Sequence, residues 1–307
     1  MTEQTPEHQN RLLPYALLAL VMLFWAGNSI VGRAVRDEIP PFTLALVRWV
    51  GSLALLLPFA WKQVRADRTA IRQGWPAILL LGLSGVAAFN AFLYSGLHYT
   101  TASNALLIQA FIPALVLVTG AVLFSDRAPV MRGIGVAVST LGVMVIVFRG
   151  DIHAIRNLHF GFGDVLILGG CLAWAIYTAC LRLAPPIHAV SLLATTFAIG
   201  VVTMLPLALG EARAIAMIDW RPGIFAAFGY VAVLPSLVAY FLYNAAVARI
   251  GPGAAGQTIS LMPLFGALLA ALLLDEVLER YHAVGMALIL CGVGLSALTF
   301  LSRRTCD

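Results

Sequence analysis

Ten runs of 18 to 27 residues, nearly free of charge, constrain the fold of this chain more than anything else in its sequence. They cover residues 14–35, 41–61, 74–99, 101–124, 131–148, 161–182, 187–209, 222–248, 253–274 and 281–301. A helix rising 1.5 Å per residue needs about 20 apolar residues to cross the roughly 30 Å hydrocarbon core of a bilayer. Each run meets that requirement. Lipid offers no partner to backbone N–H and C=O groups, so a lone spanning segment satisfies them internally, as a helix. The sequence therefore predicts an all-α integral membrane protein of ten transmembrane helices. Composition agrees, with 61% of the 307 residues apolar and 11% charged, against about half and one quarter in soluble domains.

The residues before Pro14 are polar and include Glu3 and Glu7. The apolar run after them is too long for a signal-peptide core and is expected to stay as the first span. A formal charge of +5 raises the question of nucleic acid, but the basic residues are dispersed through short loops. No nucleic-acid partner is expected; the bilayer is. Eleven Lys and Arg fall on the side that holds both termini, with Lys62, Arg65, Arg68 and Arg72 supplying most of the excess, and seven fall opposite. The positive-inside rule then places both termini in the cytoplasm, for a bacterial-type inner membrane. Cys171, Cys180 and Cys291 lie within spans and Cys306 in the tail, without metal-ligand spacing. They read as small packing residues, and neither a metal nor another cofactor is expected.

No soluble domain interrupts the spans; instead the chain repeats itself at an offset of 149 to 150 residues. Trp25 falls on Trp174, Phe92-Leu93-Tyr94 on Phe241-Leu242-Tyr243, Pro113 on Pro263, Asp126 on Glu276, Gly135 on Gly285 and Gly142 on Gly292. Six coincidences in register indicate duplication, with one unit at 12–150 and the other at 160–302. Five spans per unit is an odd number, so the second unit enters the membrane from the opposite side. Such inverted repeats recur in secondary transporters, with substrate bound near the midplane where the units meet. One chain supplies both units, so a monomer suffices for that architecture, and a small-molecule substrate is the expected partner.

These features together resemble the drug/metabolite transporter superfamily, specifically its EamA-type members with two five-helix repeats, over essentially residues 12 to 302. The matching residues are Trp25-Ala26-Gly27-Asn28 in the first span, Arg48 in the second, and an acid ahead of a glycine-bearing fifth or tenth span: Asp126 with Gly135 and Gly142, Glu276 with Gly285 and Gly292. Two positions depart from the pattern. Phe197 stands where Arg48 would recur, and Asp126 where glutamate is usual. Within the family the chain is most similar to exporters of aromatic and other amino acids, which implies export of small neutral or zwitterionic metabolites by alternating access.

Trp25 lies about 16 Å into the first span, close to the middle of the membrane and too deep for an interfacial belt. Asn28 and Ser29 follow one turn on and share its face; the repeat places Trp174, Tyr177 and Thr178 at the matching positions. Polar groups at this depth belong inside the bundle or beside a wet cavity, either as substrate ligands or as interhelical hydrogen bonds. The third and eighth spans carry a second mirrored set, Asn90 with Tyr94 and Tyr240 with Tyr243 and Asn244. Pro113 and Pro263 sit mid-span and deprive the carbonyls of Gln109 and Ile259 of their partners, which marks hinges. Gln109, Asn104, Gln257 and Ser260 crowd the same two helices. The candidate substrate-binding set is thus Trp25, Asn28, Asn90, Tyr94, Gln109, Trp174, Tyr177, Tyr243, Asn244 and Gln257.

Arg48 is the one Lys or Arg well inside a span. Eight residues in, it has room to snorkel partly outward, and it admits two roles: a fixed cation for a substrate carboxylate, or a structural bond to backbone carbonyls. All fourteen acids lie in tails, loops or span ends, the deepest being Asp164. Without a mid-membrane carboxylate, a proton-coupled multidrug exporter becomes the weaker alternative. An intramembrane enzyme needs paired carboxylates, a metal cluster or an activated nucleophile at depth, and the spans hold no HExxH, GxSxG or Asp pair. A phosphate carrier wants several cations in its pathway, whereas Arg48 stands alone.

Overall fold

A computed structural model describes residues 13–35, 37–97, 99–100, 102–151, 161–273 and 278–303. His98, Glu276 and Cys306, and the side chains of Ser29 and Asn104, lie outside the described residues. The helical segments, numbered here as spans in chain order, begin with Leu13–Val35, Pro41–Ala66 and Trp75–Leu97. The fourth comes in two pieces, Ala102–Gln109 and Ile112–Phe124. Val130–Val147, Phe162–Leu183, Ala189–Leu209 and Pro222–Ile250 follow. The ninth is built of Pro252–Gln257, Thr258–Leu261 and Met262–Leu273, and the tenth is Arg280–Arg303. No strand occurs among the described residues.

Nine of these segments are long and apolar enough to cross a bilayer as they stand. The ninth in order, expected as one continuous helix, is the exception. Proline has no N–H to give the carbonyl four residues earlier. The residues just ahead of Pro263 therefore tighten into a 3-10 turn, Thr258–Leu261, and Pro263 enters the first turn of the next helix. Pro113 behaves alike, taking the first turn of Ile112–Phe124 after a break at Ala110 and Phe111. First-turn proline costs a helix nothing, because that N–H has no intrahelical partner. The expected proline kinks are thus helix ends. Where the chain must reverse sharply between spans 8 and 9, Gly251 takes φ +81°, a conformation that Pro252 then converts into a helix start.

The packing is symmetric under exchange of the two five-span units. Span 2 packs on 7 and span 5 on 10, each an equivalent pair. Span 1 packs on 8 and 9, as span 6 packs on 3 and 4. The 5–10 contact is the closest of backbones. A Cβ at Gly142 would meet the Gly285 carbonyl oxygen at 2.6 Å, and one at Gly135 would meet that of Gly292 at 2.6 Å. Glycines seven residues apart share one face, so Gly135 with Gly142 and Gly285 with Gly292 form one seam, filled from both sides. Small residues let helices approach like this where lipid provides no hydrophobic drive. Gly142→Leu is therefore expected to lower stability by about 2 kcal/mol or more through overpacking. Gly133→Ala, which meets open space on the same span, should leave the heat-denaturation midpoint in detergent unchanged or slightly raised.

Candidate functional site

Spans 3 and 8 widen near their middles into π-helical turns, Gly82–Ala88 and Val233–Val238, at repeat-equivalent positions. A π turn adds a residue and misaligns the ladder of backbone bonds, and such turns concentrate at functional sites. In span 8 the effect is compounded by Pro235, which brings no donor. The Ser236 hydroxyl repairs part of the loss by donating to the Val231 carbonyl at 2.6 Å. The Pro235 carbonyl accepts across the bundle from the Trp25 indole Nε1 at 2.9 Å.

Arg48 joins the same group. It does not snorkel: only 3% of its surface is exposed. Its Nε donates to the Ser236 hydroxyl and its Nη2 to the Pro235 carbonyl at 3.1 Å. Its Nη1 reaches Asn90 Oδ1 at 3.2 Å and the Tyr94 hydroxyl at 3.4 Å. Asn90 is aimed by its own Nδ2, which donates to the Val86 carbonyl at 2.9 Å. The guanidinium also lies 4.8 Å from the Trp49 ring centre. Every acceptor is neutral. A buried cation satisfied in this way bridges spans 2, 3 and 8, and hence both repeats.

The mirrored tryptophans meet. Trp25 and Trp174 stand edge to face with ring centres 5.0 Å apart, surrounded by Phe89, Tyr177, Tyr240 and Tyr243. Trp25, Asn28, Asn90, Gln109 and Trp174 from the sequence-selected set line one small chamber of about 40 Å³, together with Arg48 and Tyr240. Its wall also includes Gln109 with Ile112 and, at the equivalent places of span 9, Ile259 with Met262. Pro113 and Pro263 thus put their helix breaks at the chamber wall. Tyr94 touches the chamber through Arg48. Tyr177, Tyr243 and Asn244 stand behind the tryptophans: Tyr177 donates to Asn244 Oδ1 at 2.6 Å, and the hydroxyls of Thr178 and Tyr243 lie 3.0 Å apart. Gln257 lies elsewhere, its Nε2 donating to the Ser139 hydroxyl on span 5 at 2.9 Å.

Sequence reasoning missed Pro235, Ser236, Phe89 and Trp49. The available signal was Arg48 itself: a cation at that depth requires acceptors, and a proline followed by serine inside span 8 marks irregular backbone with a hydroxyl beside it. Asp164, the deepest acid, caps its own helix by accepting from the Gly161 N–H at 2.8 Å and from the Thr100 hydroxyl.

The two faces of the protein differ. Away from the termini a vestibule of about 840 Å³ opens between the turn at 37–42, Ser95 and Tyr99, and the connection holding Glu211 and Asp219. Glu211 closes one wall by accepting from the Phe42 and Thr43 N–H groups at 3.1 and 2.7 Å. Beside it Arg221 pairs with Glu38, and the loops at the face of the termini are tied as well. Arg182 pairs with Asp126, with Nη1 3.1 Å from Oδ1, and stacks 4.3 Å from the Phe124 ring centre. The His188 N–H donates to Asp67 at 2.9 Å.

Two mirrored five-helix units enclosing a buried aromatic and polar chamber define a membrane transporter. The chain belongs to the EamA-like transporter family, whose model matches it twice, over residues 12–148 and 161–298. It is 31% identical over 284 residues to an uncharacterized transporter of Archaeoglobus fulgidus, covering 92% of this chain and 96% of that one. It is 26% identical over 308 residues to a probable amino-acid metabolite efflux pump of Salmonella typhimurium, covering 94% and 96%. The uncharacterized inner membrane transporter YedA of Escherichia coli is 24% identical over 295 residues, covering 94% and 92%. A solved crystal structure shares the fold with a TM-score of 0.74 at 18% identity, over 95% of this chain and 98% of that one.

Ser236→Ala tests the centre of this arrangement. It removes one acceptor from a buried cation, which costs about 1.5–3 kcal/mol, and the heat-denaturation midpoint in detergent is expected to fall accordingly.

Proposed function

We propose that this protein is a secondary transporter of the bacterial inner membrane, exporting small neutral or zwitterionic metabolites, amino acids including aromatic ones, by alternating access. The observation that carries the reading is the chamber itself, in which paired tryptophans and a few amides surround a single fixed cation. Aromatic surface with sparse polar groups suits a small organic solute. Among the described residues no carboxylate lines the chamber, so nothing there resembles the buried acid on which proton-driven export of cationic drugs relies. The efflux-pump relative supports amino acids, and the excess of basic residues at the face of the termini supports a cytoplasmic location for that face. An enzyme is disfavoured on the same ground, because the chamber holds no nucleophile paired with a base. A chamber enclosed by one chain needs no second copy.

At about 40 Å³ the chamber holds water rather than a metabolite. We read this conformation as the contracted one and the carrier cycle as one that widens the chamber when solute enters. The test is counterflow of labelled amino acids into liposomes containing the purified protein. Faster uptake than in empty vesicles, without an imposed pH gradient, is expected; equal rates would discard the substrate class. Trp25→Ala should reduce counterflow severely at equal expression, whereas Trp75→Ala, an exposed tryptophan at the start of span 3, should not.

A further inference from the structure

Within the amino-acid reading above, the chamber carries more detail than a substrate class. A guanidinium has five N–H donors. Those of Arg48 meet four acceptors, on Ser236, Pro235, Asn90 and Tyr94. One N–H of Nη2 remains, on a residue that lines the chamber. Asn28 lines the same chamber, and its Oδ1 is shut off from solvent with no hydrogen-bond partner. The chamber wall thus carries a residue with one cationic N–H to spare and a residue whose buried amide oxygen lacks a partner. Both are costly to leave unfilled at this depth.

We propose that Arg48 binds the α-carboxylate and Asn28 the α-ammonium of the transported amino acid, whose side chain then lies against Trp25, Trp174 and Phe89. Three consequences follow from charge and geometry. The carboxylate neutralises a cation whose present partners are all neutral, so it is the head group the site reads most strongly. An organic cation without a carboxylate meets an uncompensated positive charge and is rejected. The ammonium, satisfied by a single amide oxygen, contributes less. Because the guanidinium is shared with spans 3 and 8, a carboxylate also draws on the tie between the two repeats, which places recognition and conformational change on one side chain.

The experiment compares binding of L-phenylalanine, L-phenylalaninamide and N-acetyl-L-phenylalanine to the detergent-purified full chain at pH 6, where free α-amines are protonated. Calorimetry is expected to show the amide binding at least about tenfold more weakly than the free amino acid, the scale of one hydrogen bond to a charged group. The N-acetyl compound should lose less. Asn28→Ala should bring phenylalanine and its N-acetyl derivative together while leaving the ratio of phenylalanine to amide in place. Arg48→Lys should weaken phenylalanine and narrow its margin over the amide. Should that variant fail to fold, the ligand series on the unaltered chain decides alone. Equal affinity for acid and amide overturns this assignment while the amino-acid reading survives. Absence of phenylalanine binding together with no amino-acid counterflow removes both.

Discussion

The carbonyl of Pro235 is the point at which the two halves of this protein are joined in the middle of the membrane. It lies within a π turn, and an indole from span 1 and a guanidinium from span 2 both donate to it. Neither donor would be stable there otherwise, since a buried N–H or cation in a lipid-surrounded protein has no water to fall back on. The requirement runs both ways. Span 8 supplies the acceptor and the first repeat supplies the donors, so each unit completes the hydrogen bonding of the other.

The same logic explains where the helices are irregular. Departures from regular α-helix at membrane depth are tolerated only where protein or a cavity covers them. Here they occur in mirrored pairs: π turns in spans 3 and 8, breaks ahead of proline in spans 4 and 9. The span 4 and 9 breaks lie on the chamber wall, and the π turns lie immediately before Asn90 and Tyr240, which also line it. Spans 5 and 10, by contrast, are uninterrupted and meet through backbone contacts at the glycine seam. The bundle thus combines one closely packed, uninterrupted pair with interrupted helices at the chamber wall.

Much of this was legible in the sequence because the signals were periodic or duplicated. Ten apolar runs fixed the class, and the register of Trp25 with Trp174 announced that two equivalent faces would meet. The glycine heptads gave the seam. What escaped was local conformation without a compositional mark. Nothing in Gly82–Ala88 distinguishes a π turn from an α turn, so the bend that aims Asn90 at Arg48 could not be read from it. Proline positions located the weak points of spans 4 and 9, but whether such a point becomes a kink or a full break depends on what packs beside it. Gln257 shows the limit of reasoning by helix membership alone: it shares the broken span 9 with Ile259 and Met262, yet its amide turns to Ser139 on span 5, because a residue's face within a distorted helix no longer follows from its number.

The duplication is also informative where it fails. Arg48 has Phe197 as its counterpart, and that ring packs at 5.0 Å on Trp49 and 5.8 Å on Tyr240 instead of offering a charge. A faithful copy would place two guanidiniums about the same axis, and like charges in a low-dielectric interior repel strongly. One cation is what the available neutral acceptors can hold. The substitution therefore relieves an electrostatic conflict that symmetry itself would create, and it gives the chamber a direction: a positively charged wall formed with spans 2, 3 and 8, facing an uncharged one. A solute with unlike ends would be oriented by that difference, even though the scaffold that encloses it is built from two equivalent parts.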